Sequence, residues 1–214
     1  MIRWVHLDTA TVPGDGGELR LMRRGTEYSI MAGGIELMNS RLSGSEEALA
    51  DLAIARIAGR PAPRMLIGGL GMGFTLRAAL AAVPAAAALT VAELVPEVVA
   101  WARGPMAEVF AGCLDDPRVT IHTGDVGEPI AAGDWDAILL DVDNGPEGLT
   151  RKANDRLYDA AGLAAARRGL RPGGVLAVWS SSPSRAFTQR LRQAGYGVEE
   201  VQARARGAST SSTP

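Results

Sequence analysis

The stretch that decides the fold is Met65–Thr75, which reads MLIGGLGMGFT. An apolar, strand-like run enters it, a cluster of glycines follows, and a helix-like segment leaves it. Glycine lets the chain turn tightly after a strand and lets backbone amides approach a ligand without a Cβ in the way. A strand-to-helix turn with only a structural role would carry glycine too, so the loop by itself does not identify a ligand.

A carboxylate at the right distance supports a ligand role for this loop. Glu93 lies twenty residues after Gly73 and falls in the next strand-like run, Leu89–Leu94. A carboxylate there can accept both hydroxyls of a ribose, although a Glu93 that faces solvent is the alternative. We therefore expect an adenosine-containing cofactor, and the residues assigned to it here are Gly69, Gly71, Gly73, Glu93 and Leu94.

Outward from the loop, apolar strand-like runs alternate with helix-like segments. This alternation is typical of a parallel sheet with helices on both faces. The predicted strands are Met65–Gly68, Leu89–Leu94, Val119–Thr123, Ala137–Asp141, Val175–Ser180 and Gly197–Gln202. The predicted helices are Phe74–Ala82, Pro96–Phe110, Asn154–Arg168 and Ser184–Ala194. The sequence thus indicates an α/β, Rossmann-like fold.

The first sixty residues have a different pattern, with β-prone runs separated by glycine-rich turns. The predicted strands there are Arg3–Leu7, Glu18–Arg23, Tyr28–Ala32 and Ile35–Met38. A helix follows, with Ser43 and Glu46 as a capping box and an apolar stripe made of Leu49, Leu52, Ala53 and Ile57. We expect residues 1–60 to form a lid or dimerisation element, 61–206 a cofactor-binding domain, and 207–214 a mobile tail. Exposed edge strands that pair between subunits would give a homodimer.

Composition excludes several classes of protein. The chain has 214 residues, 47% of them hydrophobic, and a net charge of −2, which argues against a dedicated nucleic-acid binder. One cysteine and two separated histidines do not make a His/Cys metal cluster, so no metal is expected. We see neither a secretory signal nor a membrane-spanning stretch, and we expect a cytoplasmic protein with no membrane partner.

Acidic residues end the third and fourth strands of the predicted sheet. Asp125 follows the third strand, where its carboxylate could accept the adenine amino group while the backbone at Val126 reaches the ring nitrogens. Asp141 ends the fourth strand, and Asp143 and Asn144 come shortly after it. Open α/β sheets bind ligands at the carboxyl ends of their strands, so these residues are expected at one site.

This constellation resembles the class I S-adenosylmethionine-dependent transferases, and more closely their spermidine synthase-like branch. The phrases that carry the resemblance are the glycine loop, VAELVPEVV at 91–99, DPRV at 116–119 and LRPGGVL at 170–176. The resemblance implies a seven-stranded, Rossmann-like methyltransferase sheet with S-adenosylmethionine as cofactor.

Departures from that branch lie where its acceptor and donor amines bind. Spermidine synthases carry an aspartate at the position of Gly71, a Tyr-His-Glu element at Ser45–Glu47, and a glutamine at Glu36, and their aspartate-rich gate is shortened here after Asp141. We therefore expect a methyltransferase acting on a small-molecule acceptor. The alternatives are an aminopropyltransferase using decarboxylated S-adenosylmethionine and a diamine, and a nucleoside-binding partner protein without turnover.

Five residues are candidates for the chemistry. Asp141 is expected to act as the base or to orient the acceptor, with Asp143 as a second catalytic carboxylate. The residues expected to bind the acceptor are Glu47, Asn144 and Tyr158. Each has a structural alternative: Asp141 would hold a turn amide, Tyr158 would be a core residue, and a first-turn acid such as Glu47 would serve the helix dipole.

Overall fold

The computed structural model describes residues 2–14, 17–142 and 154–203. Asp143, Asn144 and the tail 207–214, for which the sequence made predictions, lie outside the described residues. Two sheets are found in the described part, a four-stranded antiparallel sheet near the amino terminus and a five-stranded parallel sheet that follows it.

The antiparallel sheet is a meander of four neighbouring strands. Its strands are β1 (Val5–Thr11), β2 (Glu18–Arg24), β3 (Glu27–Ala32) and β4 (Ile35–Asn39). Period-2 alternation buries Leu19, Leu21 and Ile30 on one face. On β1, Asp8 accepts a 2.7 Å hydrogen bond from the Trp101 indole, which attaches this sheet to the body of the molecule.

Helix α1 (Gly44–Arg56) links the two sheets, but it does not begin with the predicted capping box. The Ser43 side chain makes no capping hydrogen bond, and the Glu46 carboxylate accepts from the Ser45 hydroxyl at 2.6 Å. The helix buries Leu49, Ala50 and Ala53, whereas Leu52 is 41% exposed. The buried face packs on α2 (Phe74–Ala82) and on the parallel sheet, and Leu52 lies outside it.

The parallel sheet has the strand order β7-β6-β5-β8-β9. Its strands are β5 (Arg64–Gly68), β6 (Ala88–Glu93), β7 (Val119–Thr123), β8 (Trp135–Leu140) and β9 (Leu170–Val178). Its helices are α2 (Phe74–Ala82), α3 (Pro96–Arg103), α4 (Ala107–Phe110), α5 (Gly127–Ala132), α6 (Asp155–Tyr158), α7 (Ala160–Gly169) and α8 (Arg185–Gln193). Apolar side chains cover both faces, with the larger core beneath α1, α2 and α3 and the smaller one beneath α5 to α8.

The predicted count of seven strands in this sheet is not confirmed. In the described ranges the sheet has five strands, and Gly197–Gln202 forms no strand. That segment is held by polar side chains instead: Glu199 pairs with Arg56, and Glu200 accepts from the Thr188 hydroxyl at 2.5 Å. Val201 is 51% exposed, so the segment buries too little apolar surface to add to the sheet.

Two predicted helices are broken, and one short helix was missed. Gly104 and Pro105 separate α3 from α4, because the first lacks helix propensity and the second lacks the backbone donor. The predicted helix 154–168 is interrupted at Asp159, whose carboxylate caps α7 by accepting from the Gly162 amide at 2.8 Å. Helix α5 has six residues and no periodicity long enough to predict it.

Candidate active site

The glycine loop turns the chain from β5 into α2. Gly69, Gly71 and Gly73 in this loop differ in how much space a side chain would have. A Cβ at Gly69 would collide with the Asp141 carbonyl oxygen, and one at Gly73 would lie 2.5 Å from the Phe110 ring. Both residues have positive φ, so packing and backbone conformation require glycine. A Cβ at Gly71 would meet only the Met38 sulfur, at 3.3 Å, which shows that β4 lies over the loop.

Glu93 ends β6 and braces the glycine loop. Its two carboxylate oxygens accept from the Leu70 and Val95 amides, each at 2.9 Å, and the residue is 9% exposed. Burial raises the pKa of Glu93, and the hydrogen bonds from Val95, Leu70 and Leu94 oppose that shift. Each oxygen keeps a further lone pair, so the carboxylate can still accept from a hydroxyl.

Glu97 offers a further acceptor in the same segment. It lies in the first turn of α3, four residues after Glu93, and its Oε2 atom is buried with no hydrogen-bond partner in the part of the chain that the structure describes. A buried acceptor left without a donor is costly, and sugar hydroxyls are donors. Sequence reasoning missed Glu97, because a first-turn acid needs no explanation beyond the helix dipole.

Asp125 and Val126 lie at the carboxyl end of β7, as predicted. The Asp125 carboxylate accepts from the Gly127 amide at 2.8 Å and pairs with Arg156. Val126 is buried, and its Cγ2 would lie 3.0 Å from a Cβ at Gly68. Both residues stand at the edge where a nucleoside base is expected, and their contact with adenine stays a prediction.

Asp141 follows β8 directly and is fixed from two sides. Its amide donates to the Gly68 carbonyl at 2.9 Å, and its Oδ2 lies 2.6 Å from the hydroxyl of Thr75 in the first turn of α2. Burial raises the pKa of Asp141 to about 6, the Thr75 hydrogen bond lowers it, and the charge of Glu46 raises it further. A carboxyl group with this pKa can both hold and release a proton near neutral pH.

Glu46 brings a second acid to Asp141. It lies in the first turn of α1, and its carbonyl oxygen is 3.4 Å from the Thr75 hydroxyl. The sequence indicated Glu46 as a cap, but the charge of Glu46 acts on Asp141. Glu47 is exposed, and its contact with an acceptor stays a prediction. The proximity of Glu46 to Asp141 depends on how α1 packs, and no local signal in the sequence reveals it.

Trp179 is another residue that sequence reasoning missed. Its amide donates to the Leu140 carbonyl at 3.0 Å, which places it beside Asp141 in the parallel register. The half-buried side chain packs against the larger core, on the face covered by α1. An aromatic residue directly after β9 is the signal that could have identified it.

Tyr158 lies away from this group. It is 1% exposed in the smaller core, and its ring meets the Phe187 ring edge-on at a centroid distance of 5.6 Å. The structure thus brings together Gly69, Asp141, Thr75 and Glu46, with Glu93 on the other side of the loop, but not Tyr158.

No group of three or more His, Cys, Asp or Glu side chains that could hold a metal is found among residues 2–14, 17–142 and 154–203. Over the same ranges, every helix is too short or too polar to cross a membrane.

Comparison with known proteins places the fold. No protein-family model matches the chain. It is 32% identical over 117 residues to a polyamine aminopropyltransferase of Mycobacterium tuberculosis, covering 50% of this chain and 22% of the relative. It is 34% identical over 128 residues to a polyamine aminopropyltransferase of Nitrosomonas europaea, covering 58% of this chain and 37% of the relative. The chain therefore spans well under half the length of these relatives.

Solved structures agree with the fold assignment. Spermidine synthase from Thermotoga maritima superimposes with a TM-score of 0.70 at 18% identity, covering 88% of this chain and 64% of that one. A spermidine synthase in complex with the transition-state analogue AdoDATO gives a TM-score of 0.69 at 18% identity, covering 88% and 63%. The chain has the spermidine synthase-like, class I methyltransferase-like fold.

These comparisons overturn one expectation. The reading as a small-molecule methyltransferase is wrong, because the relatives that match in sequence are named aminopropyltransferases and the matching structures are spermidine synthases. The departures at Gly71 and Ser45–Glu47, on which that expectation rested, concern single positions and do not outweigh these matches.

Proposed function

We propose that this chain transfers an aminopropyl group from decarboxylated S-adenosylmethionine to an amine acceptor. The observation that carries the proposal is the pair of acids Asp141 and Glu46 at the carboxyl ends of the parallel strands. Neither forms an ion pair with an arginine of the described residues. Two carboxyl groups without a compensating cation favour positively charged ligands, and both the sulfonium donor and a polyamine acceptor are cationic.

The residues around the glycine loop fit the nucleoside part of the donor. The free lone pairs of Glu93 and the orphaned Oε2 of Glu97 supply acceptors for ribose hydroxyls. Asp125 and Val126 are proposed to meet the adenine ring. At Gly71 no carboxylate is available for the donor's ammonium group, which makes the described acids near Asp141 the more important ones for charge.

The donor supplies a carbon that is activated by a positively charged sulfur. As the acceptor nitrogen uses its lone pair to form the new C–N bond, the C–S bond breaks and its electron pair goes to sulfur, which leaves a neutral thioether. At neutral pH an alkyl amine is protonated and has no free lone pair, so the acceptor nitrogen must lose one proton before this bond can form. We propose that Asp141 accepts that proton, while the protein contributes chiefly in-line positioning, worth roughly 7–11 kcal/mol.

The organisation of the whole protein is also a proposal. We propose an amino-terminal element up to residue 60, followed by a cofactor-binding domain. Strand β4 of the first element lies over the glycine loop, and this position supports a lid role for the antiparallel sheet. The exposed residues Val5 and Leu7 on the edge strand β1 support the homodimer expected from the sequence.

The test is a transfer assay with decarboxylated S-adenosylmethionine and a panel of diamines, in which methylthioadenosine and the alkylated amine are quantified by mass spectrometry. We expect both products in equal amounts, and Asp141→Asn should reduce their formation about 10²–10⁴-fold. Asp51→Asn, at an exposed acid further along helix α1, is the matched control and should change the rate little.

A second candidate function is nucleoside binding without turnover, as in a partner protein. Gly71 favours it, because a loop covered by the Met38 sulfur carries no acid for the donor's ammonium. If methylthioadenosine raises the melting temperature while no amine in the panel is alkylated, this candidate replaces aminopropyl transfer.

A further inference from the structure

The hydroxyl of Thr75 lies between two oxygen atoms of different elements. Its Oγ1 is 2.6 Å from Asp141 Oδ2 and 3.4 Å from the main-chain carbonyl oxygen of Glu46. Thr75 is 4% exposed, so both contacts lie inside the protein. The residue belongs to the first turn of α2, whereas its two neighbours belong to the end of β8 and the start of α1.

This placement satisfies Asp141 in both of its protonation states. A hydroxyl carries one hydrogen and two lone pairs. When Asp141 is ionised, Thr75 donates to Oδ2, and the short distance fits a charge-assisted hydrogen bond. When Asp141 is protonated, Oδ2 donates to Thr75, whose own hydrogen turns to the Glu46 carbonyl. No heavy atom has to move.

We propose that Thr75 is a positioning residue that lets Asp141 exchange a proton without losing its orientation. This inference rests on the proposed function, in which Asp141 takes the proton released by the acceptor nitrogen. The Glu46 carbonyl accepts the Thr75 hydrogen when Asp141 is protonated. The proton exchange therefore depends on the packing of α1 against α2.

The groups that face Asp141 define the pH dependence. From α1 comes the Glu46 carboxylate, which is the described ionisable group whose charge acts on Asp141. From α2 comes Thr75, and beside β8 stands Trp179, which does not titrate. Because Thr75 donates to the ionised carboxylate, removing its hydroxyl should raise the pKa of Asp141 further.

The test compares Thr75→Val with Thr75→Ser in the transfer assay as a function of pH. In Thr75→Val we expect kcat/KM to fall about 10–100-fold at pH 7 and the acidic limb of the profile to move up by about one pH unit. Thr75→Ser keeps the hydroxyl and should restore both the rate and the limb. The proposal is contradicted if the acidic limb of Thr75→Val coincides with that of the wild type. It is also contradicted if the limb of Thr75→Ser moves as far as that of Thr75→Val.

A second readout separates this inference from the proposed function. The titration of Asp141 is followed by NMR on protein with carbon-13 in its aspartate carboxyl groups, with Asp141→Asn to assign the signal. The pKa should rise in Thr75→Val and stay near the wild-type value in Thr75→Ser, whether or not an acceptor is known. If the wild type turns over no amine but these shifts appear, the function is wrong and the role of Thr75 stands. If Asp141 titrates alike in all three proteins, the role of Thr75 is wrong.

Discussion

The two ends of strand β8 carry aspartates in opposite electrostatic settings. Asp136, near the amino end, is 1% exposed and pairs with Arg60 and Arg171, the latter at 2.9 Å, while it accepts from the Arg64 amide at 2.7 Å. Asp141, just past the carboxyl end, has the Thr75 hydroxyl and a neighbouring acid. The same strand thus has one aspartate paired with two arginines near its start and, just past its end, one whose described partner is a hydroxyl.

The difference follows from where ligands bind in such sheets. At the amino ends of the strands nothing has to bind, so the charge on Asp136 is neutralised by guanidinium groups that also tie β8 to β9 and to the connector before β5. At the carboxyl ends a cation paired with Asp141 would compete with a cationic substrate. Among the described residues no cation pairs with Asp141, and under the proposed function this leaves its carboxylate available to a cationic substrate.

The largest effect on stability is expected at the neutralised end. Asp136→Ala leaves Arg60 and Arg171 without their buried partner and the Arg64 amide without an acceptor, so the free energy of unfolding should fall by about 2–4 kcal/mol. Urea denaturation at pH 7 measures it. Asp134→Asn, at the exposed neighbour that pairs with Arg64 and shares Arg171, is the control and should stay close to wild type. If both variants lose the same free energy of unfolding, the burial of Asp136 does not account for its contribution to stability.

At the carboxyl end of β8, the ionised carboxylate of Asp141 should lower the free energy of unfolding instead of raising it. The pKa of Asp141 is raised from 3.8 to about 6, so between these values the folded protein binds more protons than the unfolded chain. This contribution to stability is complete below about pH 4 and is lost as the pH rises through 6, amounting to about 2–3 kcal/mol at most.

Asp141→Asn should remove that pH dependence. Relative to wild type, the variant should gain about 1–3 kcal/mol on going from pH 4 to pH 8, because the wild type must then hold a poorly solvated charge. Chemical denaturation at the two pH values gives the double difference, in which other titrating groups cancel. Stability curves that run parallel for the two proteins would show that Asp141 is not destabilised when ionised.

The sequence predicts the elements of this comparison better than their contacts. The apolar run 137–140 is buried on both faces of a parallel sheet, so the position of β8 and the exit of Asp141 at its end follow from the pattern alone. The meeting of Asp141 with Glu46 depends on how α1 packs against the sheet across 95 residues of chain. No periodicity encodes that contact, and the same acid also fits a helix cap.

The seven-strand count is not confirmed within the described residues, for a related reason. Gly197–Gln202 has two β-branched valines but no strict alternation, and the described contacts of Glu199 and Glu200 are side-chain contacts with Arg56 and Thr188. β-Branched residues occur in edge strands and in exposed extended segments alike, and only the tertiary contacts separate the two.

The smallest expected effect is a change in ligand affinity in the glycine loop. In this loop Gly69 is required by packing, whereas position 71 has space for a side chain. Gly71→Asp introduces an acid at the position where the resemblance implies that spermidine synthases carry an aspartate. Aspartate tolerates φ of +52°, and its Cβ would meet only the flexible Met38 side chain, so a cost of about 1 kcal/mol is expected. Gly69→Asp, whose Cβ collides with the Asp141 backbone, should unfold the loop.

If position 71 faces the donor's ammonium, Gly71→Asp should bind decarboxylated S-adenosylmethionine about 3–10-fold more tightly, by calorimetry, while methylthioadenosine binds unchanged. An equal gain for both ligands, or none, would show that the acid at position 71 does not reach the aminopropyl group, and recognition of that group would then fall to Glu46 and Asp141.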